Sequence, residues 1–246
     1  MCGRFVQIDA TITRLQAIHD FEIRADTYAP HRHHLESYNV APQRVIVVIR
    51  NTDGELVLDE MLWGIKPKWH KGSTQLLINA RSESVEQKPT FRKLLNQRIA
   101  IPAEGFYEWK RDTQGSQRNG ASRLNRTPFY FYRADGNPVL MAGIFEKSVD
   151  HETGELVESF AILTTRANTM MLRYHDRMPV ILEPSQLDEW LGAANANALL
   201  DQVRVPPADE ILMVHQVSNR VNSSRTEGPD LIAEVQGSAP SGSIFD

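Results

Sequence analysis

The sequence predicts an α+β fold: a single domain around a largely antiparallel, barrel-like β-sheet with flanking helices. Three observations carry that expectation. Short runs of β-branched and aromatic residues recur along the chain, among them Arg44 to Arg50, Leu56 to Leu62, Pro128 to Arg133 and Val157 to Thr164. Asp-Gly pairs at Asp53-Gly54 and Asp135-Gly136 supply tight turns between such runs. Segments of helical period lie between the strands, and no repeat or long linker divides the 246 residues into two cores.

Taken in order, Ile12, Leu15 and Ile18 recur at helical spacing behind Asp9 or Thr11, which predicts a short amphipathic helix over 10–20. The stretch from Asp26 to His34, rich in His, Arg and Pro, reads as irregular and ends in Tyr38-Asn39-Val40-Ala41-Pro42. Strands begin only after it, with Arg44 to Arg50 and Leu56 to Leu62 forming a hairpin. Trp63 to His70, broken by Gly64 and Pro67, predicts a loop. Leu76 to Asn79 reads as a short buried strand, Phe91 to Gln97 as a helical turn, and Arg98 to Pro102, Gly105 to Lys110 and Pro128 to Arg133 as strands. Val139 to Glu146 and Val157 to Thr164 predict an antiparallel pair around the polar loop Asp150 to Glu155. Asn168 to Tyr174 is expected to be a helix, Met178 to Leu182 a strand, Pro184 to Leu191 a helix with proline in its first turn, Asn195 to Val203 a helix and Ile211 to Val217 the last strand. From Gly237 onward Gly, Ser, Ala and Pro dominate, so the expected division is a domain over 2–235 and a flexible tail over 236–246.

Composition narrows the function classes. Hydrophobic residues make up 41% of the chain, enough for a substantial core. With 27 Lys plus Arg against 31 Asp plus Glu the net charge is −4, so no global basic field advertises nucleic acid, and such a site needs local charge. A single cysteine excludes an intramolecular disulfide framework and a multi-cysteine metal site and suits a reducing compartment. The N-terminus lacks the regions of a signal peptide, and no apolar run reaches the roughly 18–20 residues that span a bilayer. A soluble intracellular protein is expected. No GxGxxG, Walker or HExxH pattern supports a dinucleotide, nucleoside triphosphate or zinc-protease reading. His31, His33 and His34 cluster, but the expectation is no metal and no cofactor.

That one cysteine is Cys2. Removal of Met1, usual when the second residue is small, would make it an N-terminal 1,2-aminothiol. With ordinary pKa values of about 8.5 for a thiol and about 7.7–8.0 for an α-amine, both groups are usable nucleophiles near neutrality. Condensation of the amine with an aldehyde, followed by thiol attack, would close a five-membered thiazolidine. Position alone leaves open an idle cysteine on a frayed terminus. Elsewhere, Asn79 and Arg81 stand two apart at a strand end, an amide to orient a carbonyl and a guanidinium to clamp a phosphate. Glu108 lies among the aromatics of Glu104 to Trp109, where desolvation would suit acid–base work. Thr164-Thr165 follows an apolar strand, and His175 sits with Asp176 and Arg177 ahead of another. Each of these admits a purely structural role. The basic segment 110–127, with Lys110, Arg111, Arg118, Arg123 and Arg126 against Asp112, reads first as a solvated loop and second as a phosphate-binding one.

Taken together, Met1 to Phe5, Tyr38 to Pro42, Trp63-Gly64 through Pro67 and Trp69, Asn79-Ala80-Arg81, Glu104 to Trp109 and His175 to Pro179 resemble, in order and spacing, the SRAP family of SOS-response-associated peptidases. The resemblance runs from Cys2 to about Val221. It implies the SRAP fold and a sensor that shields abasic sites in single-stranded DNA through a thiazolidine crosslink to Cys2, with thiol autopeptidase and lyase-type activity. By this likeness Asn79 positions the N-terminus and the sugar, Glu108 shuttles protons during imine formation, and His175 assists sugar opening and crosslink reversal. Arg4, Arg81 and Arg177 hold phosphates, Trp69 supports the strand by stacking, and Asn39 and Thr164 complete the DNA-binding set. The implied partner is single-stranded DNA containing abasic sites, without a membrane, for a monomeric protein of the cytoplasm found at damaged DNA; replication-associated partners stay unknown. His70 stands where a second tryptophan is expected, and the basic segment is longer than the family pattern. Two other readings remain open here: an N-terminal-nucleophile hydrolase, since class II glutamine amidotransferases also begin Met-Cys-Gly, and a non-covalent single-strand binder.

Overall fold

Residues 2–18, 36–67, 76–111, 126–149, 154–192 and 196–235 are described by the computed structural model. Trp69-His70, His31, His33 and His34, most of the basic segment and the tail from 236 lie outside them. Arg4–Gln7 forms β1, Asp9–Ile18 forms α1 and Ser37–Val40 forms β2. The sequence reading assigns no strand to either end of this stretch, yet β1 and β2 pair antiparallel, Phe5 opposite Val40. Both are too short for their alternation to register as a pattern, and it is burial on both faces that makes them strands: Phe5, Val6 and Gln7 are all enclosed.

The hairpin forms as expected from β3 (Val45–Thr52) and β4 (Glu55–Trp63), with Thr52 opposite Glu55. Asp53 and Gly54 both take positive φ, 55° and 94°, the mirror-image turn whose twist matches the flanking strands. After it come β5 (Asn79–Arg81), the short helix α2 (Pro89–Arg92), β6 (Arg98–Ala103), β7 (Gly105–Arg111) and β8 (Arg126–Arg133). The predicted strand at 76–79 is displaced: Leu77 makes an isolated bridge to Ile65, and pairing proper begins at Asn79. β9 (Val139–Val149) and β10 (Leu156–Arg166) are the expected antiparallel pair, Phe145 opposite Phe160.

β3 pairs with β6, β6 with β9 and β9 with β10, and β10 then runs parallel to β4, so five strands close into a barrel. Closure removes the open edges that a five-stranded sheet would otherwise leave. β11 (Arg177–Pro179) and β5 add to the flank of β10, and β12 (Ile181–Leu182) adds to β9. The helix expected at 168–174 is only the 3₁₀ turn Met171–Arg173, because the chain must turn back at once into β11. Pro184–Gln186 is likewise 3₁₀ before α3 (Leu187–Gly192), and α4 (Ala196–Val203) and β13 (Leu212–Gln216) follow.

A second, wholly antiparallel sheet has the order β13-β8-β7-β1-β2. Barrel residues of one parity, such as Val47, Ile49 and Leu163, pack with α1, α3 and α4; those of the other, such as Ile46, Val48 and Ile162, pack with Phe5, Phe106 and Phe131 of the second sheet. On that sheet's far side Val6, Tyr107 and Tyr130 meet Val217, Val221 and Leu231 of the C-terminal segment. The fold is therefore α+β around a barrel, as the sequence predicts. No described helix is long and apolar enough to cross a membrane.

Candidate active site

Cys2 leads directly into β1, which lies between β7 and β2. The thiol is fully enclosed, in the core shared by the barrel and the second sheet. Burial pushes it well above its ordinary range, and the nearby negative charge of Glu108 pushes it the same way. Asn79 Nδ2 donates to the Cys2 carbonyl at 2.9 Å, so the two residues singled out from opposite parts of the sequence touch. Asn79 Oδ1 is buried and has no hydrogen-bond partner among the described residues.

Trp63 explains how both reach that position. Its ring lies 5.1 Å from that of Phe5, and its indole N–H donates to the Ile78 carbonyl at 3.0 Å. One side chain thus braces the strand that follows Cys2 and the residue that precedes Asn79. Gly64, at φ 125°, then lets the chain turn out of β4; a Cβ there would stand 2.9 Å from Leu76 Cδ1.

Glu108 is a buried residue of β7, opposite Phe129 of β8. Two residues on and on the same side, Lys110 places Nζ 5.5 Å from the centre of the Tyr174 ring. Tyr174 packs edge-on against Phe129 at 4.7 Å and Phe131 at 5.2 Å, which seats the turn bearing His175 beside the strand opposite Glu108. His175 Nδ1 accepts from the Arg177 backbone N–H at 3.0 Å. The same nitrogen lies 3.0 Å from Asp176 Oδ1.

The remaining predicted residues divide by accessibility. Arg81 is exposed, on the side of β5 that carries Asn79. Arg177 is enclosed, its guanidinium forked onto Glu83 at 2.7 and 2.8 Å and onto the Thr164 carbonyl at 2.6 Å. Arg4 donates to Asn39 Oδ1 at 2.7 Å and to the Val221 carbonyl at 3.0 Å. Asn39 in turn donates through Nδ2 to the carbonyls of Ser223 and Thr226 at 2.9 and 3.0 Å. Arg4, Asn39, Thr164 and Arg177 are bound into the protein in this arrangement, whereas Arg81 faces out. Sequence reasoning passed over Trp63 as an anchor and Glu83 as a partner of Arg177. Glu83 lies in the turn after β5, where no strand alternation reports its direction, and a lone surface-type glutamate carries no signal of its own. Among the described residues no cluster of His, Cys, Asp and Glu is arranged to hold a metal.

A family model described as SOS response associated peptidase (SRAP) matches residues 1–224. Abasic site processing protein YoqW of Bacillus subtilis is 35% identical over 236 residues, covering 94% of this chain and 99% of that protein. Abasic site processing protein YedK of Escherichia coli is 32% identical over 239 residues, covering 96% and 100%. Among solved structures, a protein from Bacteroides thetaiotaomicron superposes with a TM-score of 0.77 at 23% identity, covering 95% of this chain and all of the other, which speaks to the fold.

Proposed function

Given that this chain belongs to the SOS response associated peptidase (SRAP) family, we propose that it captures abasic sites in single-stranded DNA as a covalent adduct on Cys2 after Met1 is removed. Its relatives are named for abasic site processing, and an abasic deoxyribose in its ring-opened form is an aldehyde. The Cys2 amine adds to the aldehyde carbon and one water leaves, giving an imine. Sγ then adds to the imine carbon while the thiol proton passes to nitrogen, closing the thiazolidine with no oxidant or reductant consumed.

The observation that carries this reading is the Asn79 hydrogen bond to the Cys2 carbonyl at 2.9 Å, which fixes the terminus from which both nucleophiles project. The buried Asn79 Oδ1 offers an acceptor to the freed amine or to a sugar hydroxyl. Glu108, enclosed in β7, is the group we assign to proton transfer between amine, departing water and thiol. His175 assists sugar opening and reversal, and Arg81 and Trp69 guide the strand. Release of Met1 by the Cys2 thiol itself accounts for the peptidase in the family's name; cell-free synthesis without methionine aminopeptidase should then yield a trimmed wild type and an untrimmed Cys2→Ala chain.

Denaturing electrophoresis with intact mass measurement, after mixing the protein with abasic single-stranded DNA, tests the adduct. A product with the mass of protein plus DNA minus one water is expected, dependent on Cys2 and on loss of Met1. An equally stable adduct on Cys2→Ala would falsify the thiazolidine.

A further inference from the structure

Arg177 is 8% exposed, and burying a guanidinium costs less the more of its donors are met; its Nε has no partner among the described residues. Both terminal nitrogens are engaged: Nη1 with Glu83 Oε1 at 2.7 Å, Nη2 with Glu83 Oε2 at 2.8 Å and with the Thr164 carbonyl at 2.6 Å. Arg166 and Arg177 are cross-strand partners at the end where β10 and β11 meet. Glu83, from the turn that follows β5, therefore grips the Arg177 side of a terminal rung, where a ladder otherwise frays. Partial burial works to raise its carboxyl, but the Arg177 hydrogen bonds and charge outweigh this and hold it below the ordinary range.

The clamped rung matters because the Arg177 backbone N–H donates to His175 Nδ1 at 3.0 Å. A ring nitrogen that accepts cannot carry the proton, so the neutral imidazole is the Nε2–H tautomer, a donor at its outer nitrogen. Asp176 Oδ1, 3.0 Å from the same Nδ1, is the competing partner. Its side chain is 80% exposed and free to swing into water, whereas the Arg177 N–H is fixed in a strand. The backbone bond therefore decides the neutral tautomer.

We propose that Glu83 is a positioning residue which, by clamping Arg177, holds His175 in the Nε2–H tautomer, whose outer N–H donates a hydrogen bond to the deoxyribose during reversal of the crosslink. This rests on the function proposed above. It also makes Arg177 a strut for this rung, through the two terminal nitrogens that are held from within.

Glu83→Gln keeps the shape and removes the charge; Glu83→Asp keeps the charge; thermal melting confirms that each is folded. The first readout needs no DNA: ¹⁵N shifts of the His175 ring at neutral pH, assigned by their loss in His175→Gln. Wild type should show one tautomer, Glu83→Gln a mixture and Glu83→Asp a return toward wild type. The second is release from purified adduct, which Glu83→Gln should slow roughly tenfold or more, the scale expected for a misplaced catalytic group, while adduct still forms through Cys2. The third is salt dependence of single-strand binding in the Cys2→Ala background, where Glu83→Gln should leave the slope unchanged. A slope steeper by about 0.7, one added phosphate contact, would mean that Glu83 had filled a phosphate site and would overturn the proposal. So would an unchanged tautomer or an unchanged release rate. Absence of any Cys2-dependent adduct in wild type would instead defeat the functional reading, and the ring shifts would still decide the clamp.

Discussion

Burial does two opposite things to Cys2. It fixes the backbone from which amine and thiol project, and it suppresses the thiolate, since low-polarity surroundings and the Glu108 charge both disfavour a second anion. In the chain that retains Met1 the thiol should therefore alkylate slowly with iodoacetamide. No acceleration is expected as pH rises through about 8.5, where an exposed cysteine ionises. Labelling followed by intact mass, native against denatured, checks this; native labelling as fast as denatured would contradict the enclosed thiol. The aminothiol itself was legible from residue order, because a cysteine next to Met1 needs no structure to be recognised. Its enclosure was not, because that depends on Trp63, Phe5 and Phe160 meeting from three separate strands.

At the scale of elements, β5 and β11 both pair with β10 and form one continuous surface. Asn79 is opposite Ile162 and Arg81 opposite Thr164, so alternation sets Asn79 and Arg81 on one side of β5 with Thr164 and Arg166 following along β10. Arg81 and Arg166 are exposed and enter none of the ion pairs among the described residues, unlike Arg177. A strand captured as proposed above would run past two guanidinium groups that these ion pairs leave available. Measured in the Cys2→Ala background, Arg81→Ala and Arg166→Ala should each reduce the slope of log affinity against log salt by about 0.7. An unchanged slope in either would remove that residue from the path. Arg81 stood out in the sequence beside Asn79. Arg166 did not, because a parallel pairing between segments some eighty residues apart leaves no local pattern.

Across the whole molecule, the barrel strands were readable because each is long and apolar with turn residues at its ends, as at Asp53-Gly54. The second sheet was only half readable: β7, β8 and β13 announce themselves, while β1 and β2 are four-residue strands that exist because other parts of the chain enclose them. A polar contact that joins the two sheets was invisible for a related reason. Gln7, a polar residue at the end of β1, is 2% exposed. Its amide donates to the carbonyls of Val47 and Pro102 at 2.9 and 2.8 Å and accepts from the Val47 N–H at 2.9 Å. It fills a gap in the barrel, since β3 and β6 meet at the single pair Ile49 and Ala100. Gln7→Ala strands three buried backbone groups, a loss of about 2–4 kcal/mol given about 1–3 for each unmet group and partial relaxation. At about 2–4 °C per kcal/mol for a chain of this size, the midpoint of thermal unfolding should fall by roughly 4–16 °C. Because barrel and sheet share the core that holds Cys2, one cooperative transition is expected, with adduct-forming capacity lost along the same curve. A calorimetric trace that splits in two, with adduct formation tracking only one part, would show that the sheets are held together by something other than this side chain and its shared core.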